Sequence, residues 1–462
     1  MTMEYRWLGQ EEIQKLSRIV QEDRISTGRS NLELHARDQS HHGPVKPEVV
    51  IWPISPQEVS EILRFANEAK IPVTPWGAGS SLEGNPIPVK RGIVLDFTQM
   101  NRILEIREQD FQADVESGLV YKDLNDKLRH KGLFFPPDPG AGATIGGMVA
   151  NNASGTRALR YGSTKDNLLR LKVVLADGQI IEVGTRASKS SSGYKLLDLF
   201  VGSEGTLGVV VEATVRLRGL PQEFSSALIS FKEEAQAATA VFEMLRAGLE
   251  PAALELLDSE VSQLFGSHSG IELPRAPVLL VEFHGPSKDY LAEVMAIAEE
   301  IAKGCGSISF RSGIGRKERD NLWKTRHALG EIIPRINVGR KQLTTDVAVP
   351  ISQFPRMVAF ASEEVKKAGI PGYVFCHAGD GNIHAIFMGK EGDREEWARI
   401  WEISDRIVRK AIELGGTASG EHGIGLGKRR YMAQEHGEAL QWMRRLKELF
   451  DPNHILNPGK IL

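Results

Sequence analysis

The sequence predicts an α+β protein with two differently built halves, and three observations carry that reading. At roughly 150 residues per domain, 462 residues make two or three domains. From Pro47 to about Pro221 apolar runs, glycine-rich turns and helical segments alternate. Beyond Pro221 longer helical patterns (231–247, 290–302) are interleaved with strand-like runs such as Pro277–Phe283, which reads as a second α+β domain.

The elements follow in order. Val49-Val50-Ile51-Trp52 is a short strand. Ser55-Pro56-Gln57-Glu58 supplies an N-cap, a proline at the first helical position and the Glu of a capping box. Val59, Ile62, Leu63 and Ala66 then recur at helical spacing, and Ile71-Pro72-Val73-Thr74 returns to strand. Further strands fall at Gly92–Asp96, Leu171–Leu175 and Gly208–Val215. Asp177-Gly178, between the Leu171 run and Ile180–Val183, signals a hairpin. No internal repeat or low-complexity tract is present.

Composition removes several function classes. Hydrophobic residues make up 41% and the net charge is −3, so a large core is available and nothing basic points to nucleic acid. The one local excess, Lys428-Arg429-Arg430, reads as a solvated helix start. Two cysteines, Cys305 and Cys376, are too few for an iron–sulfur cluster or a disulfide framework and suit a reducing cytoplasm. Met1–Gln14 is not signal-peptide-like, and no apolar run reaches the roughly 18 residues of a membrane span. The expected location is therefore cytoplasmic, with peripheral docking on the inner face of a membrane left open.

Many of the 46 glycines crowd between Gly77 and Gly208, the density expected where backbone approaches a ligand. Pro75-Trp76-Gly77-Ala78-Gly79-Ser80-Ser81-Leu82-Glu83-Gly84 leaves a strand and exposes successive N–H groups, a concavity suited to an anion such as a pyrophosphate. It is neither a Rossmann fingerprint nor a Walker loop, and a plain structural turn is an equal reading of this loop alone. Two more glycine segments follow: Pro136–Gly140 running into Ala143–Met148, Asn151–Gly155 and Arg160-Tyr161-Gly162; and Gly202-Ser203-Glu204-Gly205-Thr206-Leu207-Gly208.

In this order and spacing the three segments resemble the FAD-binding domain of the vanillyl-alcohol-oxidase/PCMH flavoprotein superfamily. From Pro47 to Leu462 the chain resembles its D-lactate dehydrogenase/glycolate-oxidase flavoprotein-subunit branch, completed by Ser419–Gly425 and Phe450–Lys460. The resemblance implies a PCMH-type domain of two α/β subdomains at 47–221, after an N-terminal helical segment at 1–46. A substrate or cap domain on an antiparallel sheet would occupy 222–414, and 415–462 would return to the flavin. It places Pro75, Gly77, Ala78, Gly79, Ser80 and Ser81 around the FAD pyrophosphate. Pro137, Pro139, Thr144, Gly146, Gly147, Ser154, Tyr161 and Gly162 would line the dinucleotide, Gly205, Gly208 and Val210 would lie against the adenine, and Asn457 would reach back from the C-terminus. The pyrophosphate loop contains neither His nor Cys, so the FAD is expected to be non-covalent.

His377 and His384 are separated by Ala-Gly-Asp-Gly-Asn-Ile. On a straight strand they would lie about 23 Å apart on opposite faces. Gly379–Asn382 is turn chemistry, however, so the chain can fold back and bring the imidazoles together. With Glu421 they make a reasonable site for zinc or manganese, although this spacing is not specific to metals. The resemblance assigns His377, His384 and Glu421 to a divalent metal, leaves His422 to face the substrate as base, and places Arg326 in the active site, where a guanidinium fork suits a carboxylate. Relatives taking a second carboxylate carry a lysine two residues before the aspartate matching Asp346. Here Thr344 stands there, which argues for a monocarboxylate.

The implied activity is oxidation of a small D-2-hydroxy acid, D-lactate or glycolate, to the 2-keto acid, with hydride passing to flavin N5. A partner subunit, quinone, cytochrome or electron-transfer flavoprotein would take the electrons. Two rivals are a metal-dependent hydrolase on His377, His384 and Glu421, and a non-redox, alkyl-transferring member of the same superfamily.

Overall fold

The computed structural model describes residues 4–313 and 316–462. The chain forms two compact units: Met1–Ser154 with Ser163–Leu220 and Glu421–Leu462, and Gly155–Gly162 with Pro221–Gly420. Sequence analysis did not foresee that Gly155–Gly162 belongs with the later half.

The first unit holds two principal sheets. In one, Val49–Ile51, Ile93–Asp96 and Val73–Trp76 run parallel, with Ile25–Ser26 antiparallel at one edge. The crossover helix Pro56–Ala69 starts where expected. The Ser55 side chain accepts from the Glu58 N–H at 3.2 Å, and the helix ends at left-handed Lys70. Val59, Ile62, Leu63 and Ala66, its apolar stripe, are fully buried in one cluster with Val49, Val73 and Leu95. The capping-box Glu behaves differently from expectation: Glu58 accepts from the Ile54 N–H (2.9 Å) and from Arg24 (2.6 and 2.7 Å), because the buried Arg24 guanidinium needs the carboxylate.

The second sheet is antiparallel, in the order Ile103–Arg107, Gln112–Glu116, Val209–Arg216, Leu168–Val174, Ile180–Gly184. Asp177-Gly178 makes the expected hairpin turn, with the Asp177 carboxylate accepting from the Gln179 N–H at 2.9 Å. Leu124 and Leu128 of helix Tyr121–Arg129, and Met148 and Val149 of helix Ile145–Asn151, share a buried cluster with Leu171, Ala213 and Val215 of this sheet.

The C-terminal segment returns to the parallel sheet. Val73 donates to the Ile455 carbonyl (2.7 Å) and Asn457 donates to the Val73 carbonyl (2.8 Å), so 455–457 line the edge of strand Val73–Trp76. Lys428 departs in part from expectation: it does start a helical turn, Arg429–Tyr431, with Arg429 and Arg430 exposed, but it is itself buried and pairs with Glu83 of the glycine loop at 3.1 Å.

The second unit is built on an eight-stranded antiparallel sheet ordered Ser309–Arg311, Glu223–Ser230, Val278–Gly285, Ala253–Leu257, Gly372–His377, Asn382–Lys390, Arg340–Thr344, with Val347–Ala348 also on Asn382–Lys390. The apolar faces of helices Ser259–Ser269 and Arg316–Ile336 supply Val261, Phe265, Leu322, Leu329 and Ile333, which pack with Leu257, Leu280 and Phe375 of the sheet. Among the described residues no helix is long and apolar enough to cross a membrane.

Candidate active site

In the second unit, strand Gly372–His377 runs into a single 3₁₀ turn, Ala378–Asp380, and returns as Asn382–Lys390. Gly381 sits in the turn at φ +68°, where a Cβ would lie 2.2 Å from the Val349 carbonyl oxygen, so only glycine closes the hairpin. The register puts His377 opposite Asn382 and Phe375 opposite His384. The two histidines are therefore diagonal neighbours on one face, with ring centroids 5.2 Å apart and planes at 88°. The turn expected from Gly379–Asn382 does bring the imidazoles together.

Both rings have carboxylates beside them. His377 Nδ1 lies 2.7 Å from Glu255 Oε1, and Glu255 is fully buried on the neighbouring strand. His384 Nδ1 is 3.8 Å from Asp346 Oδ1. Asp346 accepts from Asn382 Nδ2 (2.8 Å) and the Ser419 hydroxyl (2.9 Å), and its carbonyl accepts from the Gly420 N–H (3.1 Å). The segment ending at Gly420 is thus tied to the His384 neighbourhood, and Glu421 is its next residue along the chain.

Arg326 is buried rather than spread on a solvated helix face. Its Nε donates to Glu255 Oε2 at 2.7 Å, its Nη2 also contacts that oxygen, and the guanidinium lies 4.6 Å over the Phe375 ring. Glu255 therefore joins Arg326 to His377 through its two oxygens. Sequence reasoning missed it, although a lone carboxylate in the apolar run Ala253-Leu254-Glu255-Leu256-Leu257 is the signal that could have found it, because buried carboxylates are paired.

In the first unit the glycine segments converge. A Cβ on Gly77 would fall 2.3 Å from Thr144 Oγ1, and one on Gly205 would fall 2.9 Å from Pro75 Cγ. The Pro75–Ser81 loop thus touches both other segments with no room for side chains at the contacts. Thr144 caps helix Ile145–Asn151, its hydroxyl accepting from the Gly147 N–H at 3.3 Å, and the Gly146 N–H bonds the Ser117 carbonyl at 2.7 Å. Asn457 Nδ2 donates to the carbonyls of Asn85 (3.0 Å) and Glu204 (2.7 Å), binding the C-terminus into the same cluster. Pro137, Pro139, Ser154, Gly208 and Val210 fall in this unit as well, whereas Tyr161 and Gly162 fall in the other.

Glu421 and His422 sit on a loop held by its backbone. The His422 carbonyl accepts from Asn151 Nδ2 (3.0 Å) and Asn85 Nδ2 (3.4 Å). Glu204, itself buried, accepts from the N–H groups of Ile424 (2.6 Å) and Gly425 (3.0 Å). Burial pushes the Glu204 carboxyl up, opposed by those N–H bonds and by Lys460. Glu421 Oε1 and His422 Nε2 are 3.8 Å apart, so the neighbours do not hydrogen-bond each other.

Residues 220–461 match the C-terminal domain of FAD-linked oxidases, and 47–184 match an FAD-binding domain. The chain belongs to the FAD-linked oxidases. Within that family it falls in the D-lactate dehydrogenase/glycolate oxidase branch. It is 38% identical to a probable mitochondrial D-lactate dehydrogenase of Danio rerio over 96% of this chain and 90% of that one. It is 37% identical to a glycolate oxidase subunit of Bacillus subtilis over 90% of this chain and 89% of that one. Among solved structures, p-cresol methylhydroxylase superposes with a TM-score of 0.80 at 17% identity, covering 100% of this chain and 98% of the other. An alkyldihydroxyacetonephosphate synthase superposes with a TM-score of 0.79 at 19% identity, covering 100% and 87%. These two share the fold. The FAD-binding match over 47–184 takes in the Pro75–Ser81 loop and the Thr144 turn that meet at Gly77.

Proposed function

We propose that this FAD-linked oxidase oxidises a small D-2-hydroxy acid, D-lactate or glycolate, to the 2-keto acid, with a divalent metal and a histidine base. The observation that carries the reading is the Glu255–His377 hydrogen bond beside the His377–His384 pair. With His377 Nδ1 donating to the Glu255 carboxylate, Nε2 would be the nitrogen His377 brings to a metal. The names of the relatives support the substrate class.

His377, His384 and Glu421 would hold the metal, whose contribution when bound is to polarise the substrate hydroxyl as a Lewis acid. FAD, held without a covalent bond, supplies the two-electron acceptor. His422 takes the hydroxyl proton, a role open to a group whose unperturbed pKa lies near 6.5. Arg326 has spent its Nε on Glu255, so its Nη1 end is the part offered to the carboxylate. Thr344, paired with Ile386 on the strand that carries His384, brings no charge for a second carboxylate, and its hydroxyl accepts from Gln342 Nε2 at 2.7 Å. The electrons leave to a quinone, a cytochrome, an electron-transfer flavoprotein or a partner subunit, with the oxidase in the cytoplasm or docked on the membrane's inner face.

Anaerobic mixing of the yellow enzyme with D- and L-lactate, glycolate and D-malate tests this directly. D-lactate or glycolate should bleach the flavin, whereas L-lactate and D-malate should not. Bleaching by none of the four refutes the reading.

A further inference from the structure

Residues 28–46 lie ahead of the FAD-binding domain that starts at residue 47, yet His35 and Asp38 among them are buried polar side chains with no part in the chemistry above. His35 directly follows helix Arg29–Leu34. Its Nδ1 lies 2.7 Å from the Asn31 carbonyl, which can only accept, so that nitrogen is a donor. Its Nε2 lies 2.9 Å from Asp96 Oδ2. Asp96 also accepts from Trp52 Nε1 and from the Thr98 N–H, each at 2.8 Å, so the carboxylate is itself fixed. Pinned in this way, the imidazole lies against the Trp76 ring, centroids 4.9 Å apart, while Trp52 meets it edge-on at 5.9 Å. Trp76 in turn shapes the glycine loop. At Gly79, φ +63°, a Cβ would fall 2.5 Å from Trp76 Cζ2, so the backbone curls directly over the indole.

The far end of the same loop is held by the chain just after His35. The Val45 N–H donates to the Ala36 carbonyl at 2.9 Å, closing 36–45 into a loop of its own. Within it the Gln39 N–H donates to the Ser81 carbonyl at 3.1 Å, and Asp38 Oδ2 accepts from the Gly84 N–H at 2.8 Å. Asp38 Oδ1 is held by the Ser40 hydroxyl (2.5 Å) and N–H (3.0 Å), which leaves Oδ2 aimed at Gly84. His42 closes the corner, since a Cβ on Gly84 would fall 3.0 Å from its Cδ2. Glycine loses more conformational freedom than other residues on being ordered. A glycine loop that must present its N–H groups to a pyrophosphate therefore gains from being fixed beforehand.

We propose that residues 35–39 belong to the FAD site, with His35 and Asp38 as positioning residues that fix the Trp76–Gly79 end and the Gly84 end of the pyrophosphate loop. Both act through the loop: His35 by backing the indole that Gly79 curls over, Asp38 by holding the Gly84 N–H. Losing either anchor lets the loop open, and the consequence is faster release of FAD. The proposal rests on reading Pro75–Gly84 as the pyrophosphate loop, and it is independent of the substrate and of the metal.

The test dilutes the full-length, FAD-loaded enzyme and follows FAD release by the rise in flavin fluorescence. Asp38→Ala and His35→Ala should each release FAD roughly 10-fold faster than wild type, about the factor that one lost hydrogen bond carries. Asp38→Asn keeps one acceptor oxygen and should fall between Asp38→Ala and wild type. Leu16→Ala is the control for simple destabilisation, because Leu16 is a core residue of helix Gln10–Ile19 that none of these contacts involves. It should lower the urea midpoint while leaving FAD release at the wild-type rate. Wild-type release from Asp38→Ala or His35→Ala, or acceleration by Leu16→Ala as large as theirs, overturns the proposal. Gly77→Ala, run alongside, separates the two readings. If it too holds FAD normally, the loop itself has been misread; if it loses FAD while the anchor variants keep theirs, the loop stands and the anchoring fails.

Discussion

Glu255 accepts from His377 Nδ1 with one carboxylate oxygen, at 2.7 Å, while its other oxygen holds the Arg326 guanidinium. One buried side chain thus sets the tautomer of a metal-ligand candidate and the orientation of a substrate-binding candidate. Glu255→Gln keeps the shape, removes the charge and leaves the Nδ1 proton a weaker acceptor. Metal affinity should fall about 10- to 100-fold, read by competitive titration with a chelator, while absorbance at 450 nm shows the FAD retained. Unchanged affinity would mean that Glu255 serves packing alone.

The glycine cradle makes a separate prediction. In Gly77→Ala the new methyl falls 2.3 Å from Thr144 Oγ1, so the loop must move away from helix Ile145–Asn151. FAD content should drop sharply while the far-ultraviolet circular dichroism stays near wild type. Heat-denatured wild-type enzyme should release its FAD intact, because the loop holds no His or Cys. Flavin remaining with the precipitate would contradict a non-covalent cofactor.

These two sites were unequally legible in the sequence. The glycine segments announced themselves because a ligand-hugging backbone needs glycine at fixed places, and the Gly379–Asn382 turn implied the histidine pairing. Glu255 did not stand out. Its meaning comes from strand register and from which helix face lies over it, and register depends on pairings such as Glu255 with His377 that no local pattern specifies. The same holds for Lys428, whose partner Glu83 is distant in sequence, and for Gly155–Gly162, whose place in the second unit no local pattern signals.

Acid should destabilise the first unit through His41. Burial, with the His42 ring tilted against it at 4.3 Å, depresses its pKa from 6.5 to about 3. The unfolded chain binds that proton below pH 6.5 and the folded chain does not. The stability His41 supports is therefore complete above about pH 6.5 and is lost as pH falls toward 3, with a slope up to about 1.4 kcal/mol per pH unit. In His41→Gln the urea midpoint should fall less between pH 6.5 and pH 4 than in wild type. Parallel curves for the two proteins would remove His41 from the acid response.

Glu421 as metal ligand and His422 as base divide the work between two neighbours, and a metal titration of anaerobic flavin-reduction rates separates the two roles. Glu421→Gln should bind metal weakly, and added zinc or manganese should restore part of its rate. His422→Ala should keep near-normal metal content yet reduce its flavin roughly 10² to 10⁴ times more slowly, with no rescue at any metal concentration. Loss of metal from His422→Ala, or full metal occupancy with lost turnover in Glu421→Gln, would contradict the assignment.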